Sequence, residues 1–210
     1  MSPAAPRVAT RADAALVTRV LVDAFADDPM WGAWAFPSAC DRRAHREAVF
    51  RLFVDGALRY PATWIAADDS AVAMWIPPGG NGVSPEQEAA LEAELTTRLG
   101  VQQAGRIFQA FELFDAMEPS DPHYYLSLLG TDPAHAGHGH GRQLLEDTLR
   151  VVDSERAAAY LDCADELVPF YSRFGFDVVG SVVLPDGPRS NGMVRASKTS
   201  LHVRQRPSSI

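Results

Sequence analysis

The segment Leu126–Glu146, LSLLGTDPAHAGHGHGRQLLE, constrains the fold most. An apolar run gives way to a short turn, then to glycines at every second position, then to an amphipathic stretch. This order predicts strand, loop and helix. Gly137, Gly139 and Gly141 alternate with His138 and His140. Without a Cβ at these positions the backbone can approach a ligand closely and its φ is freed. The loop runs into a helix N-terminus, where unpaired N–H groups and the helix dipole favour an anion. Together these features predict a phosphate or pyrophosphate cradle made by main chain. A Walker loop would end in Gly-Lys-Ser/Thr, whereas Gly141 is followed by Arg142 and Gln143. A dinucleotide fingerprint would open the first βαβ unit as G-x-G-x-x-G, whereas G-x-G-x-G stands here well past the middle of the chain.

A second segment, Ala159–Gly180, reads AYLDCADELVPFYSRFGFDVVG. Tyr160–Cys163 is expected to be a strand and Asp165–Arg173 a short helix with Pro169 in its first turns. Upstream, Arg7–Ala9 reads as a strand, and Asp13–Phe25 and Asp41–Arg59 as amphipathic helices. Thr63–Ala67 and Ala71–Ile76 read as a hairpin around Asp68-Asp69-Ser70. Ser84–Leu95 reads as a helix with Pro85 at its first position, and Arg98–Met117 continues it after a break near Gly100. Tyr124–Thr131 is a central strand, and Val178–Leu184 and Met193–Ser197 are closing strands. Residues 1–6 are expected to be disordered. One domain over residues 1–200 is expected, with a polar tail over 201–210.

Length and composition suit one soluble globular domain: 210 residues, 47% hydrophobic and 22% charged. The net charge of −8 argues against a nucleic-acid partner, which a basic patch would mark. It favours a cationic or amine-bearing small molecule. No apolar run reaches the roughly 18 residues that span a bilayer, so no membrane association is expected, and cytoplasmic residence is the simple reading. Cys40 and Cys163 have neither metal nor disulfide spacing. His135, His138 and His140 have metal-like spacing, but a glycine loop aimed at an anion does not converge its side chains, and no metal is expected.

The glycine loop resembles the coenzyme A loop of the GNAT N-acetyltransferases, whose pattern is Gln/Arg-x-x-Gly-x-Gly/Ala. Ala136 or His138 stands where that pattern carries Gln or Arg. Phe170-Tyr171-x-x-x-Gly175-Phe176 is similar to the family's second motif, in the right order and at the right distance. Val8–Asp13 and Ala24–Pro29 also resemble its first strand, helix and acceptor-side loop. Trp64–Trp75, Pro169–Tyr171 and Pro185–Arg189 most resemble actinobacterial enzymes of the puromycin N-acetyltransferase type.

The resemblance implies an α/β (α+β) fold: a central, mostly antiparallel mixed sheet of about seven strands flanked by helices. It also implies a bulge that splays the Tyr124–Leu129 strand from Tyr160–Cys163, so that a pantetheine arm fills the opening. Acetyl-coenzyme A would be the co-substrate, held by Leu129, Gly130, Thr131, Ala136, Gly137, His138, Gly139, His140, Gly141 and Arg142. A small-molecule primary amine would be the acceptor: an antibiotic or other secondary metabolite, a polyamine, an amino acid derivative or a peptide N-terminus. Tyr171 would protonate the departing thiolate. Asp162 leads as the base, with Glu112, Asp115, Glu118, His123 or a water chain as alternatives. Candidate acceptor-site residues are Asp27, Trp31, Phe111, Asp115 and His123. Trp31, Trp34, Phe36, Phe108, Phe111 and Phe114 form either core or an apolar acceptor pocket. The other reading of the same fold is a non-catalytic acyl-coenzyme A sensor. Either a monomer or a homodimer is compatible with the sequence.

Overall fold

The computed structural model describes residues 5–198; the expected tail over 201–210 and most of the expected disordered start lie outside the described residues. Among those residues the chain builds a seven-stranded sheet. Its strands are β1 (Arg7–Val8), β2 (Thr63–Ile65), β3 (Ala71–Ile76), β4 (His123–Thr131), β5 (Ala158–Ala164), β6 (Asp177–Val183) and β7 (Arg189–Arg195). Their spatial order is β1-β2-β3-β4-β5-β7-β6. Every neighbouring pair is antiparallel except β4–β5, so the mixed, mostly antiparallel sheet expected from the sequence is the one observed.

Helices α1 (Ala14–Ala24), α2 (Arg42–Ala57) and α3 (Pro85–Asp115) cover one face, and α4 (His140–Ser154) and the short α5 (Val168–Ser172) cover the other. β3 is buried along its whole length because it feeds both cores. Val72, Met74 and Ile76 pack with the first helix group, and Ala71, Ala73 and Trp75 with the second. α4 contributes Leu144, Leu145, Leu149 and Val152, all essentially without solvent contact. Each such side chain stabilises the fold by about 1.5–3 kcal/mol relative to exposure.

α3 begins where Ser84 and Gln87 cap one another. Ser84 Oγ accepts the Gln87 N–H at 3.3 Å and Gln87 Oε1 accepts the Ser84 N–H at 2.8 Å. The break expected near Gly100 is present, with φ +78° there, a value that costs glycine nothing. β7 starts four residues earlier than the sequence suggested. Pro185–Pro188 form a tight turn closed by Gly187 N–H to the Leu184 carbonyl at 2.9 Å and Leu184 N–H to the Pro188 carbonyl at 3.0 Å. Pairing therefore resumes at once through Arg189, Ser190 and Asn191, polar residues that carry no apolar strand signal.

The irregularity that shapes the site is in β4. Met74 pairs with Leu128 but Trp75 pairs with Leu126, so Ser127 is an extra residue, a bulge. Tyr124 and Leu126 face the α4 core, whereas Leu128, two residues further, faces the α1 core. One inserted residue reverses the alternation.

Candidate active site

Just before the bulge β4 leaves its parallel neighbour. β4 and β5 pair only through His123–Ala158, Tyr124–Ala159 and Tyr125–Tyr160, so the strands diverge as a V from Tyr125 onward. On that open side, alternate β4 peptide groups after Tyr125 have no strand partner, and a buried backbone group without one calls for a ligand or water. A cleft of about 1100 Å³ occupies the V and extends toward α3 and the Trp31 segment. Seven carboxylates line it (Asp28, Glu88, Glu92, Glu112, Asp115, Glu118 and Asp162), against one arginine, Arg189.

Asp162 lies on β5 at the point of divergence. Tyr160 donates its hydroxyl to Oδ1 at 2.7 Å and Tyr125 donates to Oδ2 at 3.3 Å. Burial pushes the carboxyl up to about 7; the two hydroxyls oppose that rise, and the nearby Glu118 and Asp115 add to it. Both tyrosines are held above their ordinary value, first by burial and then by the Asp162 charge, so they serve as donors. His123 stands beside them. Its Nε2 lies 3.1 Å from Glu118 Oε1, its Nδ1 lies 2.7 Å from the Asp121 carbonyl, and its ring meets the Tyr160 ring edge-on at 5.6 Å.

Tyr171 enters the cleft from α5. Its ring is wedged against Phe170 and Phe176 at 5.0 and 6.0 Å. Among the described residues its hydroxyl has no hydrogen-bond partner. Burial, then the proximity of Cys163 and Asp28, hold it well above the ordinary tyrosine value. The group is a neutral phenol with a free proton facing the cleft.

The glycine loop lies past the mouth of this cleft, at the far end of β4. Gly139, at φ +82° and ψ 8°, caps the start of α4 in a left-handed conformation that side chains resist. The first intrahelical bond runs from Gln143 N–H to the Gly139 carbonyl at 2.9 Å, leaving the preceding N–H groups of the turn free for an anion. A Cβ at Gly137 or Gly139 would meet nothing within 4 Å, whereas one at Gly141 would lie 2.6 Å from Thr131 Oγ1. The first two glycines keep the loop surface open; the third lets the helix press against β4. The histidines turn aside. His140 Nδ1 lies 3.2 Å from Asp68 Oδ2, and His138 Nδ1 lies 3.3 Å from the His135 carbonyl. Among the described residues no group of three or more His, Cys, Asp or Glu side chains is arranged to hold a metal.

A family model described as an acetyltransferase (GNAT) domain matches residues 84–196, more than half of the chain. The chain belongs to the GNAT acetyltransferase family. Its fold is also that of solved acetyltransferase structures. A histone acetyltransferase HPA2 and related acetyltransferase from Corynebacterium glutamicum is 24% identical with TM-score 0.68, over 100% of both chains. An arylalkylamine N-acetyltransferase 2 from Aedes aegypti is 14% identical with TM-score 0.63, over 91% of this chain and 98% of that one. A polyamine N-acetyltransferase from Drosophila melanogaster is 13% identical with TM-score 0.61, over 91% and 99%.

In this GNAT chain the structure brings Asp162, Tyr171, Trp31, Phe111, Asp115, His123 and Leu129 to one cleft. Asp27 is exposed and does not line it; its neighbour Asp28 does. Asp28 Oδ1 accepts the N–H groups of Met30 and Trp31 at 2.9 and 2.7 Å, an Asx turn whose signal in sequence is an aspartate just before proline. Gly130, Thr131 and Ala136–Arg142 lie outside the cleft, on the loop side of β4 and at the start of α4. Arg142 is exposed and pairs with Glu146 at 3.0 Å. Of the aromatic set, Phe108, Phe111, Phe114 and Trp31 line the cleft. Phe36 is wholly buried, and Trp34 donates to the Pro185 carbonyl at 3.0 Å, so these two are structural. Ser127, Tyr125 and Tyr160 carry no such signal in the sequence: a bulge is a relation between strands, the Tyr125 hydroxyl reaches across from β4, and Tyr160 reads as an ordinary strand residue two before Asp162.

Proposed function

We propose that this chain is an acetyl-coenzyme A-dependent N-acetyltransferase acting on a small-molecule primary amine. The observation that carries the reading is the presence of a partly buried carboxyl, Asp162, and a free buried phenol, Tyr171, in one cleft at a splayed strand pair. The residues present suit the co-substrate. The free first-turn N–H groups after Gly139 suit a pyrophosphate, and the unpaired β4 edge, Leu129 included, suits the amides of a pantetheine arm. Acetyl-coenzyme A would supply an activated carbonyl and a thiolate leaving group.

Within that frame Asp162 accepts a proton from the acceptor ammonium at its cleft-facing oxygen, which frees the nitrogen lone pair. A carboxyl titrating near neutrality is matched to that task. Tyr171 gives its proton to the departing sulfur, and the second proton shed by the nitrogen makes Tyr171 whole. The proton taken by Asp162 leaves to solvent, so one amide, one thiol and one released proton balance the reaction. The acidic wall draws a cationic acceptor inward, while Trp31, Phe108, Phe111 and Phe114 accommodate its apolar part. The puromycin-type resemblance adds aminoacyl nucleosides to the acceptors worth trying. Thiol release from acetyl-coenzyme A, measured over a panel of aryl amines, diamines, amino acid amides and aminoacyl nucleosides, tests the proposal. Turnover with at least one amine is expected; tight coenzyme A binding with no turnover on any would favour the sensor reading instead.

A further inference from the structure

We infer that Tyr160 is a positioning residue for Asp162, and that Gly192 is glycine so that the Tyr160 hydroxyl can reach it. The inference rests on Asp162 being the proton acceptor of the proposed reaction. Gly192 on β7 stands directly opposite Asp162 on β5. A Cβ built on Gly192 would fall 2.6 Å from the Tyr160 hydroxyl oxygen and 3.2 Å from its ring. Tyr160 is 1% exposed, so it cannot step aside into solvent. The vacancy over Gly192 is therefore the seat of the hydroxyl that donates to Asp162 Oδ1 at 2.7 Å. With Oδ1 fixed in this way, Oδ2 is left with only the longer 3.3 Å contact from Tyr125, and it is the oxygen free to take a proton.

The two bonds are unequal in consequence. A hydrogen bond to the ionised form favours that form, and the shorter, better-formed bond does more. Apart from the weaker Tyr125 donor, the charged groups around Asp162 oppose ionisation: Glu118 and Asp115 add to the effect of burial. From the end of α3 and the loop after it come Asp115 and Glu118, from β4 come His123, bound to Glu118, and Tyr125, from β5 come Tyr160 and Cys163, and β7 offers the uncharged Gly192 and Met193. Without the Tyr160 hydroxyl, burial and two like charges would hold Asp162 protonated at neutral pH, and it could accept nothing.

The test is a titration of the Asp162 carboxyl by carbon NMR in the free protein, alongside the pH dependence of kcat. Tyr160→Phe keeps the ring and removes the donor. The midpoint is expected to rise by about one to two pH units, and the acid limb of the kcat profile with it. Activity lost at pH 7 should thus return at pH 9. Gly192→Ala is expected to shift both in the same direction by displacing the hydroxyl, and Tyr125→Phe to shift them less. A merely structural Tyr160 would lower activity equally at every pH. Unchanged midpoints in folded Tyr160→Phe and Gly192→Ala would overturn the inference. If instead Asp162→Asn keeps full turnover while the midpoints shift in the tyrosine variants, the positioning stands and the assignment of Asp162 as the base falls.

Discussion

Asp162 works against the fold that holds it. Its folded-state value of about 7 lies above the ordinary carboxyl value of 3.8. Between those two pH values the folded chain binds more protons than the unfolded one, so stability falls as pH rises through that window. Asp162→Asn removes this titration while keeping an oxygen for the Tyr160 hydroxyl. Thermal melts at pH 8 are expected to place the variant above the wild type by several degrees, at about 2–4 °C per kcal/mol for a chain of this length. The gap should close below about pH 4, and equal melting temperatures at pH 8 would mean that the burial of Asp162 costs nothing. Tyr171 behaves differently, because its hydroxyl bonds to nothing among the described residues. Tyr171→Phe should leave the melting temperature and the Michaelis constant for acetyl-coenzyme A close to wild type while lowering kcat by roughly 10²–10⁴-fold. Near-normal turnover would remove the phenol from the mechanism.

At the scale of elements, the anion cradle depends on how α4 meets β4. Gly141 is the contact point, since any Cβ there would lie 2.6 Å from Thr131 Oγ1. Gly141→Ala should therefore push the start of the helix outward, costing about 1–3 kcal/mol as other overpacking changes do and weakening coenzyme A binding by calorimetry. Adding Thr131→Ala vacates the space, so the double variant should regain stability and affinity; a double variant no better than the single one would place the fault elsewhere. The same junction shows what sequence can tell and what it cannot. The strand, glycine loop and helix of Leu126–Glu146 were legible because apolar period and glycine spacing change within a few residues. Tyr171 was legible through its neighbours in the F-Y-x-x-x-G-F pattern. Ser127 was not, because a bulge is a relation between two strands and has no local signature. The start of β7 at Arg189 was hidden for a related reason: Ser190 and Asn191 are buried polar residues. Asn191 donates to Asp165 Oδ1 at 2.7 Å, and the Ser190 hydroxyl lies 3.5 Å from the Cys163 carbonyl, so tertiary contacts rather than hydrophobicity keep them in the sheet.

For the molecule as a whole, composition gave a sign without a place. The net charge of −8 anticipates an acidic protein, but only the fold gathers seven carboxylates around one opening and leaves the glycine loop outside it. That opening exists because the sheet is incompletely joined. Tension in a sheet is carried from strand to strand through its ladder, and here the path from β4 to β5 narrows to three residue pairs at one end. A load applied across the sheet would concentrate on those rungs and tear them one after another, as a zip opens from its slack end. A ligand lying along the V as a substitute strand would share the load over the whole length. Pulling the molecule between anchors on β1 and β6 should therefore require a higher force with coenzyme A bound than without it, and an unchanged force would show that the ligand does not bridge the two strands.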